Sequence, residues 1–333
     1  MPHFQKSLNS LHRAGLLLVA CCVAGNAAAQ SLKVTESNAT ITLAHDDKTI
    51  VVYNKVSPPV PDGMKSVYHR SGCLHPVTSP LGRTVTQMFP FDHPHQHGIF
   101  SAWVNTTYGD RKIDFWNLGG GSGRVLHERV VSTFEEDGTA GFEVDLIHRA
   151  EQEPQIDILR ERWKVTACPT DGTYHCFDLE TTQTALTDTP LVINKYHYGG
   201  VALRGPTCWL SPKDSDIKNA AQRQELAPSE FLNDLGSDRL QGNHEHAKWV
   251  ALTGRIDGKP VSIAVLCHAA NFHAPQAARI HPSKPYFAFS PCVDDAFQID
   301  REHPYKAQYR FLVTDTEPNS DWINGQWDSW CGQ

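Results

Sequence analysis

Three histidines stand two residues apart at His93, His95 and His97, in the run Phe89-Pro-Phe-Asp-His-Pro-His-Gln-His-Gly98. Imidazole titrates near neutrality, so it can both give and take protons, and it is a common metal ligand. In extended backbone, residues two apart share a face about 7 Å apart, which would set all three rings on one wall. Such strand positions normally carry Val, Ile or Leu, so a row of imidazoles reads as the floor of a site. The rival reading is that Pro94 bends the chain and the rings cap turns. Asp92 precedes the row, and Asp114-Phe115-Trp116 follows it. An aromatic face beside a carboxylate suits a sugar ring, which nominates Trp103, Asp114 and Trp116 as substrate contacts.

Two further clusters carry chemistry. Asn243-His244-Glu245-His246 adds two imidazoles and a carboxylate, with Glu245 placed for acid–base work. His273, Gln276, Arg279, His281, Lys284 and Tyr286 form a dense set of donors for hydroxyls and carboxylates. No cofactor is otherwise implied, but a divalent metal is an alternative. His95 and His97 can both reach one ion on a strand, whereas His93 and His97 lie about 13 Å apart, so His244 or His246 would have to complete the set.

The elements that must position these residues read as strands. Alternation of apolar and polar residues runs over 39–43 and 49–53 around Asp46-Asp47, then over 141–148, 158–167, 173–184 and 190–198. Asp137-Gly138, Asp171-Gly172 and Asp257-Gly258 are turn dipeptides between such runs, and 261–267 and 305–314 supply closing strands. Only 214–233 has a helix-friendly composition, and Pro228 limits it to one short helix. Strands at this spacing, with no dividing linker, predict an all-β sandwich in a single domain over 30–333. Gly119-Gly-Gly-Ser-Gly123 lacks the lysine and helix start of a phosphate loop and reads as a rim loop.

Residues 1–29 read as a secretory leader: Lys6, His12 and Arg13 are followed by an apolar stretch and by Ala27-Ala-Ala29. This predicts a periplasmic or secreted protein. Leu18-Val-Ala-Cys21 also fits a lipobox, which would instead place a lipid anchor on Cys21. The apolar run is too short to span a bilayer, and no later stretch reads as transmembrane. With 30 basic against 37 acidic residues, the charge argues against nucleic acid and anionic membranes as partners. Seven cysteines follow the leader, so at least one thiol stays unpaired. Cys168 and Cys176 flank a Pro-Thr-Asp-Gly turn and are the best-placed pair for a disulfide, or else two buried thiols facing one another.

The run HRSGCLHPVTSPLGRTVTQMFPFDHPHQHGIFSAW, followed by DFWN, resembles the PmoA-like family of secreted bacterial proteins. NHEHAKWVALTG, ANFHAPQAARIHPSKPYFAFSP and PYKAQYRFLVTD resemble it as well. With no membrane-spanning stretch, the chain is unlike a particulate methane-oxidising subunit. LVINKYHYGGVALRG is similar, more distantly, to the central strand of galactose-mutarotase-like proteins. That resemblance implies a single large two-sheet β-supersandwich, with Asn194 and His197 at a sugar site. Mutarotases carry a glutamate near the penultimate strand, and Tyr286–Cys292 contains none, which weakens the aldose-epimerase implication but not the fold.

These features together predict an exported carbohydrate-active protein acting on a sugar or sugar-derived small molecule. The expected chemistry is proton transfer of epimerase, lyase or hydrolase type, with His95, His97, His197 and Glu245 as the acid–base groups. His93 and His244 join the substrate contacts. The alternatives are a metal enzyme using His95, His97, His244 and His246, and a sugar-binding module without catalysis.

Overall fold

Asp46 takes a left-handed conformation (φ 52°) and closes a hairpin between β2 (Thr40–His45) and β3 (Lys48–Asn54), as the alternation on either side predicts. The computed structural model describes residues 1–2, 31–214, 216–217 and 226–332. The leader, the Cys21 lipobox and most of the anticipated short helix after Asp214 lie outside the described residues.

From the hairpin one sheet grows outward. It runs β1 (Leu32–Glu36), β2, β3, β4 (Cys73–Val77), β5 (Ile99–Ala102), β13 (Gly200–Arg204), β18 (Tyr286–Phe289) and β17 (Ala278–Ile280). The second sheet runs β14 (Glu230–Asn233), β15 (Trp249–Ile256), β16 (Lys259–Cys267), β20 (Tyr305–Thr314), β11 (Tyr174–Ala185), β10 (Ile156–Ala167), β9 (Thr139–Ala150) and β8 (Gly123–Glu136). A smaller sheet joins β19 (Phe297–Ile299), β12 (Leu191–Ile193), β6 (Thr106–Tyr108) and β7 (Arg111–Ile113). Every strand pairing is antiparallel. The large sheets face each other across a core in which Tyr53 packs against Phe142 and Trp163, and Phe289 stacks on Tyr309. The expected all-β, sandwich-like class is observed.

One helix was missed by the strand reading. Asn319 caps α1 (Ser320–Cys331) by accepting the Trp322 N–H at 3.0 Å. Ile323 and Trp330 bury against Trp249, Leu266 and Leu312 on the outer face of the second sheet. Apolar residues at 323, 327 and 330 have helical spacing, so the element was legible in retrospect. Covering that face explains why Val261–Cys267 is buried on both sides of its strand.

The expected strand over 190–198 ends at Ile193, and a new one starts only at Gly200. Cys168 and Cys176 face each other as predicted, with Cys168 N–H donating to Cys176 O at 2.9 Å, and both are free thiols.

Candidate active site

The histidine segment is not a strand. His93 N–H donates to Pro90 O at 3.2 Å and Gln96 N–H to His93 O at 2.9 Å, so the chain turns twice around two prolines that cannot join a ladder. The period of two therefore fails here, and Pro94 does bend the chain. His93 and His95 still meet, with ring centroids 5.6 Å apart, but His97 is turned inward and fully buried. Its Nδ1 faces His95 O and its Nε2 faces Tyr68 O, each at 2.9 Å, and its ring lies edge-on to Phe89.

The period of two builds the site elsewhere, in the sheet beneath. Ala202 pairs with Phe100 on one side and Ala288 on the other; Arg279 pairs with Ala288, and Arg204 with Tyr286. Directly paired residues project to the same face, so these six side chains share one surface. The alternate set, including Ser101, Phe287 and Phe289, faces the second sheet, where Ser101 Oγ accepts from Gln183. Two alanines in the middle of the outer row leave space above the sheet, and the histidine turns and Trp116 wall it in. The resulting cleft is about 250 Å³ and is lined by His93, His95, Gln96, Trp116, Asn117, His197, Tyr198, Arg279, His281 and Tyr286.

Behind the cleft, Asp92 and Arg204 form a bidentate pair at 2.8 and 2.7 Å with neither side chain exposed. Burial pushes the Asp92 carboxyl up, but hydrogen bonds from His93 and Arg204 and the Arg204 charge outweigh it and hold it well below the usual range. The ionised carboxylate accepts from His93 Nδ1 at 2.9 Å. In the neutral ring Nδ1 therefore carries the proton and Nε2 the lone pair. His281 has the opposite arrangement. Its Nδ1 accepts backbone N–H groups of Ser283 and Lys284 at 3.2 and 3.1 Å, so in the neutral ring the proton sits on Nε2. Burial, aided by the charges of His93, Arg279 and Lys284, pushes His281 down to about 3 and keeps it neutral. Burial also brings His95 to about 3, helped by His93, Arg70 and Arg204. The His93 and His281 rings stand edge to face at 5.4 Å. A lone-pair nitrogen and an N–H nitrogen are thus presented to the same small space.

Aromatic faces complete the wall. Trp116 lies 5.1 Å from Tyr198 and 6.4 Å from Tyr286. Asp114 does not reach the cleft: it accepts Trp116 N–H, Asn117 N–H and Asn117 Nδ2, and so sets the two residues that do. Asn117 Oδ1 in turn accepts from the Tyr198 hydroxyl at 3.3 Å.

The other nominated residues lie apart from the lining. Trp103 is a core residue, donating to Gln183 at 2.7 Å, and Gln276 is a core residue bonded to Tyr309. Asn194 donates to Thr107 in the small sheet. His273 faces Pro291 O, and Lys284 is buried against Asp214 and Asp216. Glu245 accepts from Asn233 at 2.7 Å, while His244 Nε2 donates to His197 O at 3.0 Å and so braces the cleft from outside. His246 stands between Pro275 O and Asp294. The donors proposed for a metal therefore do not converge: both nitrogens of His97 and of His246 are already engaged. Among the described residues, the three-donor group with metal-compatible spacing is Cys168, Cys176 and Asp178, and there Arg310 already holds both Asp178 oxygens.

Gln96, Asn117 and Tyr198, together with Asp92 and Arg204 behind them, were not among the nominated site residues, whereas His281 belongs to the donor set expected after Asn271. A strand reading of Gly200–Arg204 that placed Ala202 and Arg204 on one face would have pointed to that arginine.

No protein with a curated description matches the chain. Among solved structures, "Putative kojibiose phosphorylase from human microbiome" is similar over 90% of this chain and 32% of its own, at 7% identity and a TM-score of 0.37. The α-N-acetylgalactosaminidase NagBb from Bifidobacterium bifidum, in complex with GalNAc, is similar over 90% of this chain and 37% of its own, at 11% identity and a TM-score of 0.32. The chain thus spans about a third of the length of each. The model of one family matches residues 40–328, and the chain belongs to it: DUF6807, a family of unknown function.

Proposed function

We propose that this is an exported carbohydrate-active enzyme that moves a proton on a sugar or sugar derivative, as an epimerase or lyase does. The observation that carries the reading is the Asp92–His93 dyad, which offers a lone-pair nitrogen opposite the His281 N–H in a cleft walled by Trp116, Tyr198 and Tyr286. An orienting carboxylate behind an imidazole fixes its tautomer and supports the imidazolium formed when it takes a proton. His93 is the base. His281 is a hydrogen-bond donor to the oxygen on which charge develops, as a neutral N–H that costs no reorganisation. The aromatic walls take the apolar faces of a sugar ring. Glycoside hydrolysis of the ordinary kind needs two carboxyl groups flanking the bond, and the described lining residues include none, which favours proton transfer over hydrolysis.

The test is solvent exchange. Incubating the protein with a panel of sugars in deuterium oxide, and following the carbon-bound protons by NMR, is expected to show deuterium entering one position of a responsive sugar. His93→Gln should abolish the exchange while binding persists. Binding without exchange or product for any sugar would leave a sugar-binding module instead.

A further inference from the structure

One cation lining the cleft has no counter-ion among the described residues. Arg279 lines it from β17, and Nη1 is held by two neutral acceptors, Asn243 Oδ1 at 2.9 Å and Ile280 O at 3.0 Å. Its Nε is buried with no hydrogen-bond partner among the described residues. Neighbouring cations are neutralised behind the wall: Arg204 by Asp92, and Lys284 by Asp214 and Asp216. No carboxylate is among the described residues that line the cleft. A guanidinium fixed at the edge of a low-dielectric space, with its charge and one donor unmet, carries a desolvation cost that an anion would offset. Burial depresses His197 and His281, and the Arg279 charge adds to it at both rings.

We infer that the substrate is a carboxylate-bearing sugar, a uronate or related sugar acid, whose carboxylate is bound by Arg279. This rests on the reading of the cleft as a sugar site with His93 as base. Neutralising a carboxylate acidifies the C–H bond beside it, and that proton is the one His93 Nε2 takes. The C–H electron pair passes into an enolate spread over the carboxylate held by Arg279. Water on the opposite face then gives a proton to the carbon, and the resulting hydroxide is neutralised by the proton that His93 releases, which gives an epimer. If instead the neighbouring β C–O bond breaks, its pair leaves with the oxygen, which collects the proton from His93; the products are a C=C bond conjugated with the carboxylate and a free alcohol. Neither route needs an oxidant or a reductant.

The experiment is calorimetric titration of the full chain with D-glucuronate and D-galacturonate, their methyl esters, and D-glucose and D-galactose. A charge-assisted contact of this kind makes the acids bind about ten- to a hundredfold tighter than the matched ester or neutral sugar. Arg279→Gln is expected to erase that preference, and Arg279→Lys to keep part of it. The ester comparison uses the wild-type protein, so it decides the matter even if an Arg279 variant fails to fold. Equal binding of acid and ester, or a preference that survives Arg279→Gln, overturns the inference. If neutral sugars bind and exchange deuterium while acids do not, the inference falls and the proton-transfer reading stands. If neither series binds, the reading of the cleft falls with it.

Discussion

Replacing Asp92 by Asn tests the foundation of the site without requiring a known substrate. Asp92 accepts from Arg204 at 2.7 and 2.8 Å and from His93 at 2.9 Å, and neither member of the Asp92–Arg204 pair is exposed. Asn preserves the shape and one acceptor but leaves the Arg204 charge uncompensated in the interior. Breaking a buried pair on one side costs about 3–5 kcal/mol, and the near-isosteric change belongs at the lower end. Against a domain stability of about 5–15 kcal/mol this is a large fraction. Urea unfolding at pH 7, followed by tryptophan fluorescence, should show the midpoint falling by about 1 M, for a slope of about 3 kcal/mol per molar. The folded carboxyl is held below its unfolded value, so its stabilisation is complete above the ordinary carboxylate range near 4 and fades as pH falls below it. The gap between wild type and variant should therefore narrow on acidification below about pH 4. A midpoint within about 0.2 M of wild type at pH 7, or a gap unchanged at pH 3, would refute the reasoning.

Other outcomes follow from the same geometry. His95 and His281 have folded values near 3 against an ordinary value near 6.5, so the unfolded chain binds more protons between these limits. Stability should fall as pH drops through that window, and His281→Asn should flatten the slope; an unchanged slope argues against a buried neutral ring. Gly98→Ala places a Cβ against the Leu74 carbonyl at φ 61°. The backbone conformation alone costs about 1–2 kcal/mol, so the variant's thermal midpoint should drop clearly, and an unchanged midpoint would show that the turn can relax. Cys168 and Cys176 lie close enough for oxidised glutathione to join them. Peptide mapping without reductant should then recover a crosslinked 168–176 hairpin, whereas two fully alkylated thiols would show that the pair cannot close.

Long strands were legible because tertiary packing agrees with local alternation. The period of two over 158–167 and 173–184 reappears in β10 and β11, each with one face buried. The histidine run misled for the opposite reason. His-x-His-x-His has a strand's period, but Pro90 and Pro94 decide the backbone, and only two of the three rings reach the cleft. Choosing the right segments was easier than choosing the right side chains within them. Asp114 reads as a ligand-facing carboxylate because nothing local reveals that Trp116 and Asn117 consume both its oxygens. Arg204 was overlooked because its partner lies 112 residues away, a pairing that sequence spacing does not announce.

The cleft is gathered from residues as far apart as His93 and Tyr286, and the chain between them supplies most of the second sheet. Closing loops of that length is entropically costly, and contacts between distant residues form slowly. In a refolding experiment, local hairpins such as β2–β3 and β10–β11 should then acquire their backbone signal well before Trp116 reaches Tyr198 and Tyr286. Ligand affinity would be the last property to return, which makes it a sensitive gauge of whether a preparation has finished folding.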